Sequence, residues 1–345
     1  MLRSSLRSQP VFSAARFYST GKPDIKLVAE LRKRTEVSLT KAREALAASG
    51  NDVNAALDWL EQDLAVSGAK KAAKLEGRTA NEGLVGVCVL SAGSGSGQGA
   101  GRGSTRAAMV ELNCETDFVG RNELFGRLLA DIAHTAAFIA EPADSEDLLV
   151  PCPLDMLHDA PLISSTDPSV QARATVASAI RDTIAKVGEK ISLRRAVTVA
   201  RQPFASNELG LRVASYVHGS VGLPSQGRIG TLALLALKSN SLRDVLSKPD
   251  FLADLEKLER SIARQIVGFD TQMIQSSSGE ETETALYQQP FMMFADNPQG
   301  ENVEQVLRRW AKEKGLATNP ESEGLEVIEF KKWSVGGDEV SALGA

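Results

Sequence analysis

Three groups of residues have types and spacing that could do chemistry. The first is Asp117-Phe118, a carboxylate beside an aromatic ring, between a β-like run ending at Cys114 and a helix that Asn122 can cap. A carboxylate at a loop tip carries charge to a cation site, and a phenyl ring offers a large contact area at low entropic cost. In an arbitrary protein the same pair would be a turn former and a core residue. The second group is Cys114 with His134 or His158, which could make a thiol nucleophile and its base. Yet Cys114 alternates with Leu112, Val110 and Ala108, so an inward, inert thiol is expected. The third is the Gly/Ser tract from Ser91 to Ser104. It contains neither GxGxxG nor GxxxxGK[ST] and opens onto a strand, which disfavours a phosphate cradle. Cys88, Cys114 and Cys152 lack CxxC spacing, so neither a metal nor a disulfide framework is expected, and no cofactor.

The elements that must position these residues follow from periodicity. Residues 24–65 read as three short helices. Ile25, Val28 and Leu31 line the first, Ala42, Ala45 and Leu46 the second, and Val53, Ala56, Leu57 and Leu60 the third. Gly50 suits the C-terminal cap of the second, and Asn51 or Asp52 can cap the third. A basic stretch with Lys70, Lys71 and Lys74 reads as a solvated linker helix leading to Gly77, within a linker over 66–82. From Gly83 the pattern turns β-like: Leu84–Leu90 and Ala107–Cys114 form a long hairpin. A helix follows with Phe125, Leu128, Leu129, Ile132 and Ala136 inward, and another over about 170–187 ends at Gly188.

Further strands are expected over Ile191–Ala200, Leu211–His218, Arg228–Leu237 and Leu325–Val335. Helices are expected over Phe251–Val267 and Asn302–Lys314, and Gln275–Thr284 reads as a disordered loop. Partly segregated strands and helices predict an α+β fold with antiparallel sheets. The expected division is 24–65, a core N-subdomain over 83–190, a core C-subdomain over 191–289, and a completing segment over 290–338.

Composition bounds the function. The chain has 345 residues, too many for one ordinary core, with 43% hydrophobic and 24% charged, both globular averages. No run approaches the length a membrane helix needs, so no membrane role is expected. Residues 1–18 carry Arg3, Arg7 and Arg16, several serines and no acid, the composition of a mitochondrial presequence cut after Tyr18. Losing those three cations takes the formal charge from −5 to −8. So acidic a body is a poor polyanion binder, which points to a protein partner and away from direct nucleic-acid binding.

The run Val110-Glu111-Leu112-Asn113-Cys114-Glu115-Thr116-Asp117-Phe118-Val119 closely resembles the signature of the elongation factor Ts family. Further segments resemble that family in the family's order: Leu31 to Leu46, Ser67 to Lys74, Lys186 to Arg195, Ser215 to Gly219, Gln289 to Met293 and Val303 to Leu307. Together they span about residues 24 to 337. The resemblance implies a ubiquitin-associated-like (UBA-like) three-helix N-terminal domain. It also implies a guanine-nucleotide exchange factor for mitochondrial elongation factor Tu in the matrix, acting by binding and not by bond breaking. Asp117 would then disturb the partner's Mg²⁺ network while Phe118 enters an apolar pocket of the GTPase, with Thr116 and Val119 flanking them. Arg43, Val187, Gly188, His218, Met292 and Met293 are the other partner contacts that the resemblance implies.

Three departures stand out. The family's Thr-Gly-Ala-Gly loop reads Thr35-Glu36-Val37-Ser38 here. The Ser91–Ser104 and Gly219–Gln226 loops are longer than the bacterial pattern. A coiled-coil insertion is absent between Asp270 and Gln289, which implies a 1:1 heterodimer and no dedicated homodimer. The rival readings are a ubiquitin-binding adaptor built on residues 24–65 and a thiol enzyme built on Cys114.

Overall fold

A computed structural model describes residues 23–35, 37–96, 103–142, 147–167, 174–220, 222–276, 282–318 and 324–344. The expected presequence and the middle of the Gln275–Thr284 tract lie outside them. The chain divides into two units, 1–67 and 68–345.

In the first unit, α1 spans Ile25–Thr35 and α2 Leu39–Ala48, while α3 spans Val53–Leu75 and crosses the boundary. Val28, Leu31, Ala42, Ala45, Leu46, Ala56 and Leu60 bury one small core. Ile25 does not join it and is 79% exposed, because it opens α1 a turn ahead of the buried stripe. Ser38 caps α2 and Asp52 caps α3 through its carboxylate, which accepts from the Asn54 and Ala55 N–H groups at 2.8 and 3.1 Å. Gly50 takes φ +62° just past α2, as a left-handed exit requires. The linker is helical as expected, as far as Leu75, but it is not solvated throughout: the Leu75 side chain is buried in the second unit's core. Nothing in 66–75 breaks a helix: it holds alanines, lysines and a single glycine.

The second unit is α+β. In chain order its elements are β1 (Glu82–Ala92), β2 (Thr105–Cys114), α4 (Asp117–Gly120), α5 (Glu123–Ile139), β3 (Val150–Pro151), α6 (Leu154–Asp159), α7 (Val176–Val187), β4 (Ile191–Arg201) and β5 (Leu209–His218). There follow β6 (Gln226–Gly227), β7 (Ile229–Lys238), α8 (Leu242–Leu246), α9 (Pro249–Gly268), α10 (Val303–Glu313), β8 (Gly324–Ser334) and β9 (Glu339–Leu343). One sheet runs β3-β4-β2-β1-β6 and the other β5-β7-β8-β9, with every strand pair antiparallel.

The two sheets pack face to face with helices on both outer faces. Val85, Ala107, Met109, Val197 and Val199 of the first sheet meet Leu211, Val213, Leu232, Leu234 and Trp333 of the second. Behind the first sheet, Ala108, Val110, Leu112 and Cys114 pack with Phe125, Leu129 and Ile132 of α5 and Ile180 and Ile184 of α7. Behind the second sheet, Leu235 and Leu237 meet Leu255, Leu258 and Ile262 of α9 and Val306 and Trp310 of α10. The strict alternation along β2 thus sends odd residues to one core and even residues to the other.

One strand sits elsewhere than its chain position led us to expect. β4 opens the expected C-subdomain by chain position, yet it pairs with β2 in the first sheet, Cys114 opposite Ile191. A bulge between Glu111 and Leu112 leaves Arg194 and Arg195 both beside Glu111, at 3.5 and 2.7 Å. Glu111 also accepts from the Gly336 N–H at 2.8 Å, which ties β2 to the end of β8. β9 and the short helix α8 escape a periodicity reading because each is only 5 residues long.

Candidate functional site

The tip begins where the β2–β4 ladder stops. Thr116, in extended conformation (φ −126°, ψ 155°), caps the single turn of α4. Its hydroxyl accepts weakly from the Val119 N–H at 3.5 Å. Successive residues of a helix point about 100° apart, so Val119 turns into the core behind the first sheet while Phe118 turns out. Phe118 is 82% exposed, the most exposed large apolar side chain among the described residues. The chain then re-enters a helix at Asn122, whose side chain accepts from the Leu124 N–H at 2.8 Å and caps α5.

Two carboxylates tie this turn to the approach of β4, Glu189 from that approach and Glu115 from the turn itself. Glu189 accepts from the Thr116 N–H at 3.0 Å and from the Thr116 hydroxyl at 2.7 Å. In return Glu115 accepts from the Lys190 N–H at 2.7 Å. Lys190 reaches back to the carbonyls of Glu76 and Arg78 at 2.7 and 2.8 Å, and Arg78 pairs with Glu115 at 3.2 Å. The Lys190 N–H, followed by Arg78, holds the Glu115 carboxyl below its usual range. Gly188 takes φ +79° as the C-cap of α7, so the chain can turn sharply and deliver Glu189.

Asp117 is half-exposed and pairs with Arg121 at 3.0 Å. The pair lines a cleft of about 440 Å³ with Glu82, Gly83, Leu84, Gly120, Gly219 and Arg228. Arg228 pairs with Glu82 across it, and its backbone N–H donates to the His218 carbonyl at 2.7 Å. The β5–β7 turn therefore lies beside the tip. Gly83 at φ +146° sits so close to β2 that an added Cβ would fall 2.2 Å from the Leu112 carbonyl oxygen.

Of the residues singled out from sequence, Thr116, Asp117, Phe118, Val119 and Gly188 gather at this tip, with Val187 half-buried beneath and exposed His218 next to Gly219, which lines the cleft. Met292, 70% exposed, and half-buried Met293 lie on a loop of the second sheet's helical layer. Arg43 is exposed on α2 of the first unit. Glu115, Glu189, Lys190 and Arg78 were not singled out. Glu115 lies in the 110–119 run and Glu189 and Lys190 in the 186–195 segment that resemble the family, but neither run reveals that the glutamates reach across 73–75 positions to each other's segment.

The thiol-enzyme reading fails on geometry. Cys114 is fully buried, its Sγ–H donates to the Thr116 carbonyl at 3.1 Å, and burial with the nearby Glu189 and Glu82 charges pushes it up to about 12. It is a thiol, not a thiolate, at neutral pH. His134 is spoken for by the Ser164 carbonyl at 3.1 Å. Among the described residues no cluster of His, Cys, Asp or Glu could hold a metal ion, and no helix is long and apolar enough to cross a membrane.

Comparison with known proteins follows the same residues. The family model described as Elongation factor TS matches residues 115–282, starting one residue before Thr116. "Elongation factor Ts, mitochondrial" of Laccaria bicolor is 54% identical over 93% of this chain and 94% of its own length. The protein of that name in Coprinopsis cinerea is 54% identical over 97% and 98%. A more distant one in Mycosarcoma maydis is 35% identical over 96% and 89%.

Proposed function

The chain belongs to the elongation factor Ts family, and we propose that it works at the Asp117–Phe118 turn as the guanine-nucleotide exchange factor of mitochondrial elongation factor Tu during translation elongation. The observation that carries the reading is Phe118, a phenyl ring 82% exposed on a turn that is otherwise braced and capped. Left in water, such a ring stabilises nothing in this chain. In a partner's apolar pocket it contributes about 1.5–3 kcal/mol.

Asp117 acts alongside. Its present partner, Arg121, is an exposed ion pair of the kind worth about 0–1 kcal/mol, so the carboxylate exchanges partners at little cost. Brought near the GTPase's Mg²⁺, it competes for the groups that place the ion, and GDP loses phosphate contacts with the metal. Linkage makes the effect reciprocal: GDP weakens the factor's binding by the same free energy. A change of about 10⁴-fold needs about 5.5 kcal/mol of differential binding, more than one ring supplies. Exposed His218 at the β5–β7 turn, Gly188 and Val187 beside the brace, the Met292–Met293 loop and Arg43 on α2 are the additional contacts we assign.

The first unit is read as a UBA-like domain serving the same partner. An adaptor without exchange activity is disfavoured, since the relatives match across both units. We place the complex as a 1:1 heterodimer in the matrix, after removal of residues 1–18. No bond is made or broken by this chain in that role.

Stopped-flow release of fluorescent GDP from mitochondrial elongation factor Tu tests the reading. The wild-type chain accelerates release, and Phe118→Ala loses most of that acceleration. Equal rates for the two proteins would refute the wedge.

A further inference from the structure

Beyond the last ladder pair of β2 and β4, Cys114 opposite Ile191, two backbone N–H groups would ordinarily find carbonyl partners on the facing strand. Here both find carboxylates. The Thr116 N–H goes to Glu189 Oε2 and the Lys190 N–H to Glu115 Oε1, each strand lending its glutamate to the other's backbone. Glu189 does more, because its second oxygen also takes the Thr116 hydroxyl at 2.7 Å, and that hydroxyl caps α4.

We propose that Glu189 is the positioning residue of exchange: it sets the cap of α4 and thereby the direction in which Phe118 leaves the surface. The proposal rests on Phe118 being the wedge. The physical ground is that an exposed ring cannot anchor its own turn. A core side chain is oriented by its neighbours, whereas Phe118 has almost none. Its direction is inherited from the backbone of one helical turn, and the cap bond to Val119, at 3.5 Å, is too long to hold that turn unaided. Hydrogen bonds to an ionised carboxylate are the stronger kind. Both Glu189 oxygens act on the one residue from which α4 starts. Val119, anchored in the core, supplies the second fixed point. Without Glu189 the turn keeps Val119 but loses its entry angle, and the ring samples directions that miss the pocket.

The bonds of Glu189 go to Thr116 and not to the ring, so its effect on exchange should pass through the tip. A double-mutant cycle separates that role from general stabilisation. The rate of fluorescent GDP release from mitochondrial elongation factor Tu is measured at saturating factor for wild type, Glu189→Ala, Phe118→Ala and the double variant. Thermal unfolding of each is followed in parallel. Glu189→Ala is expected to slow exchange about tenfold, equivalent to about 1.4 kcal/mol. In the Phe118→Ala background the same change is expected to slow it less than about twofold, since no ring remains to be aimed. Glu189→Gln, which keeps one acceptor oxygen, falls between, and it carries the same cycle should the alanine variant fail to fold. An equal loss in both backgrounds, or no loss from either Glu189 variant beside a slow Phe118→Ala, would overturn the positioning role and leave the wedge standing. Full acceleration by Phe118→Ala would overturn the wedge and this role together.

Discussion

Among the loops that present an apolar residue to solvent, the 115–119 turn and the 289–293 loop are held by opposite means. In the 115–119 turn the aromatic itself, Phe118, is exposed, and polar bonds from Glu189 and Glu115 hold the backbone. In the 289–293 loop the aromatic, Phe291, is 1% exposed and buried among α9 and α10, while Met292 next to it is 70% exposed. That loop is further pinned by Gln265, which donates to Gln289 and to the Pro290 carbonyl at 3.2 and 3.1 Å. A loop that spends its ring on anchoring can offer a partner only a flexible methionine, which adapts but directs little. A loop that offers its ring must be anchored by something else. The first arrangement makes a wedge and the second a contact surface.

Mutations can break that contrast. The largest effect is expected from Phe291→Ala, which empties a core site and lowers stability by about 3–5 kcal/mol. Chemical denaturation measures it, and a change under about 1 kcal/mol would show that the ring does not anchor the loop. Next comes Phe118→Ala, with exchange slowed about thirtyfold or more, as for the loss of a hot-spot aromatic of about 2 kcal/mol, yet stability altered by less than about 0.5 kcal/mol. A large loss of stability there would erase the distinction between the loops. Met292→Ala is expected to weaken the complex by under about 1 kcal/mol in a titration of factor against elongation factor Tu, a near-neutral contact. A loss as large as that of Phe118→Ala would make the two loops equals.

The smallest effect concerns pH and the tip's own half. Burial holds His134 on α5 below the usual 6.5, so the folded chain favours the neutral ring. A depressed folded value means the stability is fully present above 6.5 and is lost as pH falls toward the folded value. The melting temperature should therefore drop on acidification from neutrality to below 6, and His134→Gln should flatten that drop. Identical slopes for the two proteins would exclude His134 as the cause.

Much of this was legible before any coordinates. Alternating residues 108, 110, 112 and 114 named one face of β2, and spacing named the inward stripe of α5, because burial repeats with the period of the element. The resemblance at 110–119 led to the family, which whole-chain relatives then established. Other features were not legible. β4 follows α7 in the chain, and its place beside β2 is a choice among sheet partners that local pattern cannot make. Ile25 carried the right residue type at the right spacing and is exposed nonetheless.

Residue order alone determined which side chains stand next to one another in the tip: an acid, a ring and a β-branched anchor in immediate succession. Only tertiary structure decided that the ring faces water and that Glu189, 73 positions from Thr116, closes on the cap. The reason is physical. Period and capping are properties of neighbours along the chain, while a hydrogen bond between distant segments exists only once a sheet has brought their ends together.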